Sequence, residues 1–290
     1  MELNFLTSRF LVGVRVVNLS VNLPGPWAAA WLRSLGASVI KIEPPSGDPA
    51  AAGMPLLYEA LSRGIERMTL DLKHPEQRQT LFDLLNNADV LLTSSRPSAL
   101  DRMGVSYAAL KETFPRLCYV SIVGYAIPRR EEPGHDLTYQ ARAGTLNPPQ
   151  LPRVLVADLA GAERAVLAAL ALLYQRERTG CGGYAEIALC DAALDFGVTA
   201  RLGITTDTGY LGGALPNYNL YETAAGWLAC GALEPHFVQR FLNQYPHLTL
   251  THESWANLFR TRTADEWEEW GRAQDIPLVA VRTPSADFCA

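Results

Sequence analysis

Residues 14–43 read VRVVNLSVNLPGPWAAAWLRSLGASVIKIE, and this stretch decides the fold. The β-branched run 14–19 has the character of a buried strand, Pro24-Gly25-Pro26 reads as a turn, and 27–35 as a helix closed by Gly36. A second strand, 39–43, follows at once. Two strands joined by a helix form a crossover unit, and such units build parallel sheets. Working outward, residues 68–72, 89–92 and 117–123 supply three more strands, and 75–85 another helix. The Pro/Gly-rich stretch 44–53 reads as a surface loop. Five strands with crossovers predict an α/β fold with a doubly wound parallel sheet.

The longest apolar-periodic segment, 158–175, is rich in Ala and Leu and predicts a helix lying against that sheet. A turn at 178–183 leads to a strand at 185–189 and a helix over 191–202. Beyond a Gly-rich linker the character changes to two short strands, 218–221 and 227–230, and helices near 235–243, 253–259 and 264–274. The expected organisation is a large α/β domain over 1–205, a linker at 206–212 and a smaller α+β domain over 213–290.

Composition narrows the function classes. With 48% hydrophobic and 19% charged residues the chain has ordinary globular composition and ample material for a core. A net charge of −5 argues against non-specific nucleic-acid binding but leaves room for a local basic pocket. The five cysteines, at 118, 181, 190, 230 and 289, form no Cys-x-x-Cys pair and read as reduced thiols. Residues 1–11 lack the charged and apolar segments of a leader, and no apolar run reaches the roughly 20 residues that span a bilayer. The expected location is cytoplasmic, without membrane or nucleic-acid partners.

The usual catalytic signatures are absent: no Gly-x-Gly-x-x-Gly after a strand, no phosphate loop with Gly-Lys-Ser/Thr, no Gly-x-Ser-x-Gly elbow and no His-Glu-x-x-His. His74, His135, His236, His247 and His252 do not fall at metal-ligand spacings, so no metal is expected. Three polar positions stand out. His135 and Asp136 place an imidazole beside a carboxylate at a turn after a strand end, where α/β sheets bind ligands. Asp158 opens the long helix, and Glu234 lies between a strand and a helix. Each has a plain alternative: a solvated loop histidine for His135, a helix N-cap for Asp158, a first-turn acid complementing the helix dipole for Glu234.

Taken in order, many segments resemble the type III CoA transferases, in the branch containing the α-methylacyl-CoA racemases. They begin with Gly13-Val-Arg-Val-Val-Asn-Leu-Ser20, Leu23-Pro-Gly-Pro26 and Leu35-Gly-Ala-Ser-Val-Ile-Lys-Ile-Glu-Pro-Pro45 with Gly47-Asp48-Pro49. Met68-Thr-Leu-Asp-Leu-Lys73, Ala88-Asp-Val-Leu-Leu92, Arg96-Pro97 and Leu100-Asp-Arg-Met-Gly104 continue the match. Pro133-Gly-His-Asp-Leu-Thr-Tyr139, Ala157-Asp-Leu-Ala-Gly161, Arg178-Thr-Gly180 and Gly231-Ala-Leu-Glu-Pro235 complete it.

The resemblance implies coenzyme A as part of a thioester substrate, no prosthetic group, and an interlocked homodimer. It also implies a C-terminal segment returning to the first domain, which this sequence does not reach. Transferases of the family carry the acyl group on an aspartate at the position of Asp158, whereas racemases use that aspartate beside a His-Asp pair. His135 is present and no transferase-type glycine-rich run precedes Trp227, so the expected activity is epimerisation of a 2-methylacyl-CoA. The alternatives are CoA transfer through Asp158 and a non-catalytic CoA-binding homologue. His135 and Asp158 would flank the α-carbon as acid and base, with Glu234 setting the tautomer of His135. Helix amides just after Asp158 would stabilise the enolate. By position Lys73, Arg96 and Arg102 answer the CoA phosphates, with Leu70, Ser94, Ser95 and Met103 along the adenine and pantetheine path.

Overall fold

A computed structural model describes Phe5 and residues 8–282; Cys289 and most of the N-terminal segment read for a leader lie outside the described residues. The chain forms two compact units, Met1–Gly197 and Val198–Ala290. In the first unit the strands are β1 (Arg15–Asn18), β2 (Ser38–Glu43), β3 (Glu66–Thr69), β4 (Val90–Thr93), β5 (Cys118–Val123) and β6 (Gly183–Ala188). Its helices are α1 (Pro24–Ser34), α2 (Pro49–Gly53), α3 (Pro55–Ser62), α4 (Pro75–Leu85), α5 (Pro97–Met103), α6 (Tyr107–Leu110), α7 (Asp136–Ala143), α8 (Val156–Thr179) and α9 (Leu189–Phe196). The second unit holds α10 (Val198–Arg201), β7 (Tyr218–Glu222), β8 (Trp227–Gly231), α11 (Pro235–Gln244), α12 (His252–Phe259), α13 (Ala264–Gln274) and β9 (Leu278–Ala280).

The first sheet runs β3-β2-β1-β4-β5-β6, and every neighbouring pair is parallel. That is the doubly wound arrangement, with its strand order reversing between β1 and β4. Alternation along the strands feeds two apolar layers. Val16, Val90, Leu92, Val120 and Ile122 face α1 and α8, while Val17, Leu91 and Tyr119 face α4 and α5. Strands covered on both faces must be apolar throughout, which is why β4 and β5 are buried along their whole length. The Ala-rich face of α8 lets the helix sit close, and at Gly161 an added Cβ would lie 2.2 Å from Leu189 Cδ2.

Several local expectations change. Pro24-Gly25-Pro26 is the first turn of α1 rather than a separate turn, because the first helical positions need no N–H donor. Gly25 is required there: its Cβ would collide with the Ser20 hydroxyl. The expected surface loop at 44–53 contains α2, and its Asp48 and Ala50 are buried. Asp48 accepts the N–H groups of Asn22 and Ala50, both at 2.9 Å, and pairs with the buried Lys41 at 2.5 Å. The single helix expected over 191–202 is two, α9 ending before Gly197 and α10 beginning after it.

In the second unit β8 pairs antiparallel with both β7 and β9, and the three residues of β9 are too few to announce a strand in the sequence. Trp255, Trp267, Phe241 and Phe259 form a fully buried aromatic core beneath that sheet. Residues 206–212, expected as a linker, belong to this unit. They are folded on themselves, Leu211 N–H donating to Ile204 C=O at 2.8 Å and Gly212 N–H to Gly209 C=O at 2.9 Å.

Candidate active site

The carboxyl edge of the first sheet carries a cavity of about 410 Å³. It is built from the residues just past β1, β2, β3 and β4 together with α5, the crevice where doubly wound sheets take ligands. Leu70, Leu72, Leu100 and Met103 give it apolar walls, and Lys73 and Ser95 add a cation and a hydroxyl. Glu43 also lines it, held by Lys41 at 3.0 Å and by the Tyr58 hydroxyl at 2.8 Å. A larger cavity of about 700 Å³ lies at the opposite edge, around the amino ends of β2 and β3, away from these residues.

Of the residues expected along a CoA path, Leu70, Lys73, Ser95 and Met103 line the cavity. Ser94 does not; its hydroxyl accepts the Val21 N–H at 3.1 Å and so ties the end of β4 to the loop after β1. Arg96 is the exposed N-cap residue of α5 and Arg102 lies in the last turn of that helix, both outside the lining.

A second cluster sits where α7 meets the start of α8. Asp136 is buried, and its Oδ1 accepts the backbone N–H groups of Ala157 at 2.8 Å and Asp158 at 3.1 Å. Its Oδ2 accepts from Gln140 Nε2 at 2.6 Å, and that amide also donates to Val154 C=O at 2.9 Å. One carboxylate therefore caps the long helix from a neighbouring element, where its charge also complements the helix dipole. Leu155 is the N-cap residue of α8, so Asp158 lies inside the first turn and is not the cap.

Asp158 is half-buried, and no described residue donates a hydrogen bond to its carboxyl. Burial, and secondarily the charge of Asp136, push that carboxyl up to about 7 from its ordinary 3.8. Desolvation without compensating donors favours the neutral form.

His135 and Asp136 are adjacent in sequence but diverge in space. Asp136 turns inward, whereas His135 is the exposed N-cap residue of α7, its backbone N–H donating to Thr138 Oγ1 at 3.1 Å. Glu234, in the second unit, is the exposed N-cap residue of α11. The amides expected to stabilise negative charge near Asp158 are already engaged: those of Ala157 and Asp158 by Asp136, and that of Leu159 by Leu155 C=O at 3.0 Å. That expectation is corrected by the cap itself, which uses the donors a free helix start would offer. Among the described residues no group of three or more His, Cys, Asp or Glu could hold a metal ion, and no helix is long and apolar enough to cross a membrane.

Two features of this region escape the sequence reading. Tyr139, 3% exposed in α7, reads only as part of a motif, and Lys41 with Asp48 only as part of a strand and a loop. A lysine inside a strand buried on both faces, followed by an Asp-Pro helix start, is the signal that finds the second.

The family model described as CoA-transferase family III matches residues 11–289. An acetyl-CoA:oxalate CoA-transferase from Acetobacter aceti is 32% identical over 201 residues, covering 63% of this chain and 52% of that protein. A succinate–glutarate CoA-transferase from Agrobacterium fabrum is 31% identical over 252 residues, covering 75% of this chain and 62% of its own length. The chain thus spans little more than half of these relatives. A CaiB/BaiF family protein from Brucella suis superposes with a TM-score of 0.81 at 25% identity, covering 98% of this chain and 86% of the other.

Proposed function

The chain belongs to CoA-transferase family III, and from that premise we propose that it moves CoA between carboxylic acids, with Asp158 carrying the acyl group. The observation that carries this reading is the Asp158 carboxyl itself, desolvated, free of described hydrogen-bond donors, and held up to about 7. At neutral pH a large fraction is ionised, and the ionised form, poorly solvated, is a stronger nucleophile than an exposed carboxylate. Asp158 Oδ attacks the thioester carbonyl, the C–S bond breaks, and the products are an aspartyl mixed anhydride and the CoA thiolate. The thiolate then attacks the aspartyl carbonyl, which releases the first carboxylate and leaves an Asp158–CoA thioester. The acceptor carboxylate attacks that thioester to form a new anhydride and free the thiolate, which takes the new acyl group and restores the Asp158 carboxylate.

Recognition of CoA falls to the 410 Å³ cavity in this proposal, the apolar walls taking the adenine and pantetheine and Lys73 answering a phosphate. Arg96 and Arg102, outside the lining, would act on CoA only from beyond it in this reading. The epimerase activity expected from the sequence has less behind it. It needs His135 opposite Asp158 across the α-carbon, and both relatives above carry transferase names. A pairing of Glu234 with His135, and a homodimer, remain proposals that follow the resemblance. Light scattering giving twice the chain mass supports the dimer, and a monomer overturns it.

Incubation with acetyl-CoA, trapping with hydroxylamine and peptide mass spectrometry tests the central step. A hydroxamate on Asp158 is expected. No adduct, together with deuterium uptake at the α-carbon of a 2-methylacyl-CoA in D₂O, would establish the epimerase instead.

A further inference from the structure

We propose that Glu131 is a positioning residue, which through its bonds to Ser98 sets where the CoA cavity stands relative to Asp158, an inference that rests on the CoA-transfer reading. That reaction brings a thioester held by the cavity to a carboxyl held by α8, and a misplacement of about 1 Å can cost about a hundredfold in rate. The two belong to different elements. Leu100 and Met103 of α5 wall the cavity, whereas Asp158 rides on α8, whose start is fixed by Asp136 of α7.

Residues 124–134 join β5 to α7, and Glu131 ties this loop to α5. Its Oε1 accepts the Ser98 backbone N–H at 2.9 Å and its Oε2 accepts the Ser98 hydroxyl at 2.8 Å, a two-point contact across 33 positions of sequence. The amide it takes is one of the first-turn donors that a helix cannot satisfy internally. Arg130, the neighbouring residue, pairs with Glu186 of β6 at 3.4 Å instead. Among the described residues, the loop's hydrogen bonds to α5 are those of Glu131.

The loop cannot shift without taking α7 along. Tyr139 of α7 fills the space between the two ends of the loop: an added Cβ would lie 2.3 Å from its hydroxyl oxygen at Gly124 and 2.5 Å from its ring at Gly134. The same ring stands edge-on against Tyr125 of the loop, centroids 5.1 Å apart. Five residues past Glu131 lies Asp136, which holds the Ala157 and Asp158 amides. Contacts therefore run without a break from the cavity wall through Ser98, Glu131 and Asp136 to the backbone of Asp158. Glu131 itself is exposed, so its replacement leaves the core packing in place.

Ethyl-CoA, a thioether that cannot transfer its alkyl group, reports position without reaction. Bound to the native protein, its ethyl group should desolvate Asp158 further and raise the carboxyl midpoint in a ¹³C titration of labelled aspartates. Glu131→Ala should bind ethyl-CoA with native affinity, lose most of that rise, and form the Asp158 adduct from saturating acetyl-CoA about tenfold more slowly at unchanged melting temperature. Glu131→Gln should behave as the native protein, because its oxygen still accepts the Ser98 amide and its amide donates to the Ser98 hydroxyl. A native rise and adduct rate in Glu131→Ala, or a loss of ethyl-CoA affinity in step with them, overturns this inference alone. A rise lost in Glu131→Ala, with no adduct in the native protein, overturns the transfer reaction and leaves the positioning role standing. Native protein that fails to bind ethyl-CoA, or binds it without moving the Asp158 midpoint, overturns both.

Discussion

Asp136 Oδ1 accepts the backbone N–H of Asp158 at 3.1 Å, so one carboxylate fixes the start of the helix that carries the other. The contact has two opposed effects. It satisfies helix N–H groups that would otherwise be orphaned, and it brings a second negative charge close to the Asp158 carboxyl. The second effect adds to burial in keeping Asp158 partly protonated near neutral pH.

Asp136→Asn separates those effects. The Asn Oδ1 still accepts the Ala157 and Asp158 amides, but the charge is gone, and its amide faces Gln140 Nε2 where a carboxylate oxygen had accepted. The Asp158 midpoint should fall, yet stay above its ordinary value because burial is the larger cause. A ¹³C titration of labelled aspartate carboxyls measures it. An unmoved midpoint would mean that burial alone raises the Asp158 carboxyl.

Asp158→Asn should stabilise the protein in a pH-dependent way. The native carboxyl binds its proton up to about 7, whereas the unfolded one releases it near 3.8, so across that window the native state holds more protons. Its contribution to stability therefore falls as pH rises from about 4 to about 7. The rise from 3.8 to about 7 sets a ceiling of about 4 kcal/mol, and partial solvent access reduces this to about 2 kcal/mol. Thermal melts at pH 8 should show the variant a few degrees above the native protein, and melts at pH 4 should coincide.

Much of the fold is legible in the sequence because doubly wound sheets write themselves in β-branched runs buried on both faces, as 117–123 illustrates against the observed β5. α7 is not, since its eight residues begin after Pro133-Gly134 with a mixed polar sequence that shows no apolar stripe. The site is half legible for a related reason. Sequence adjacency couples His135 to Asp136, but a helix start sends neighbouring side chains in different directions. Asp136 reaches an amide 22 residues away while His135 stays in solvent. That the cap uses up the expected oxyanion donors becomes visible only once both helices are placed together.

Lys41 should matter for stability more than its place near the cavity suggests. Its buried ammonium bridges Glu43 at 3.0 Å and Asp48 at 2.5 Å and lies 4.8 Å from the centre of the Tyr58 ring. Lys41→Ala would leave the buried Asp48 carboxylate and the half-buried Glu43 carboxylate without their cation, at a cost of about 3–5 kcal/mol. Lys41→Met combined with Asp48→Asn removes both partners of the shorter contact and should recover most of the loss. Urea midpoints of the three proteins decide the matter, and a single-variant loss below about 1 kcal/mol would show that water enters to replace the lysine.

Lys73 is the cation of the cavity lining and Arg102 lies outside it, so their contributions to CoA affinity should differ in size and in salt dependence. Lys73 is exposed, so the proposed pairing with a phosphate would be a surface interaction of about 1 kcal/mol, or roughly fivefold in affinity. Screening shortens from about 10 Å at 0.1 M salt to about 3 Å at 1 M, which erodes this contribution but not that of the apolar walls. Calorimetry at 50 mM salt should find Lys73→Ala weakened about fivefold and Arg102→Ala by less than twofold. At 1 M salt the native protein and both variants should converge on one affinity, set by Leu70, Leu72, Leu100 and Met103. If instead Leu100→Ala leaves CoA affinity unchanged in high salt, the ligand does not occupy this cavity, whatever the lysine does.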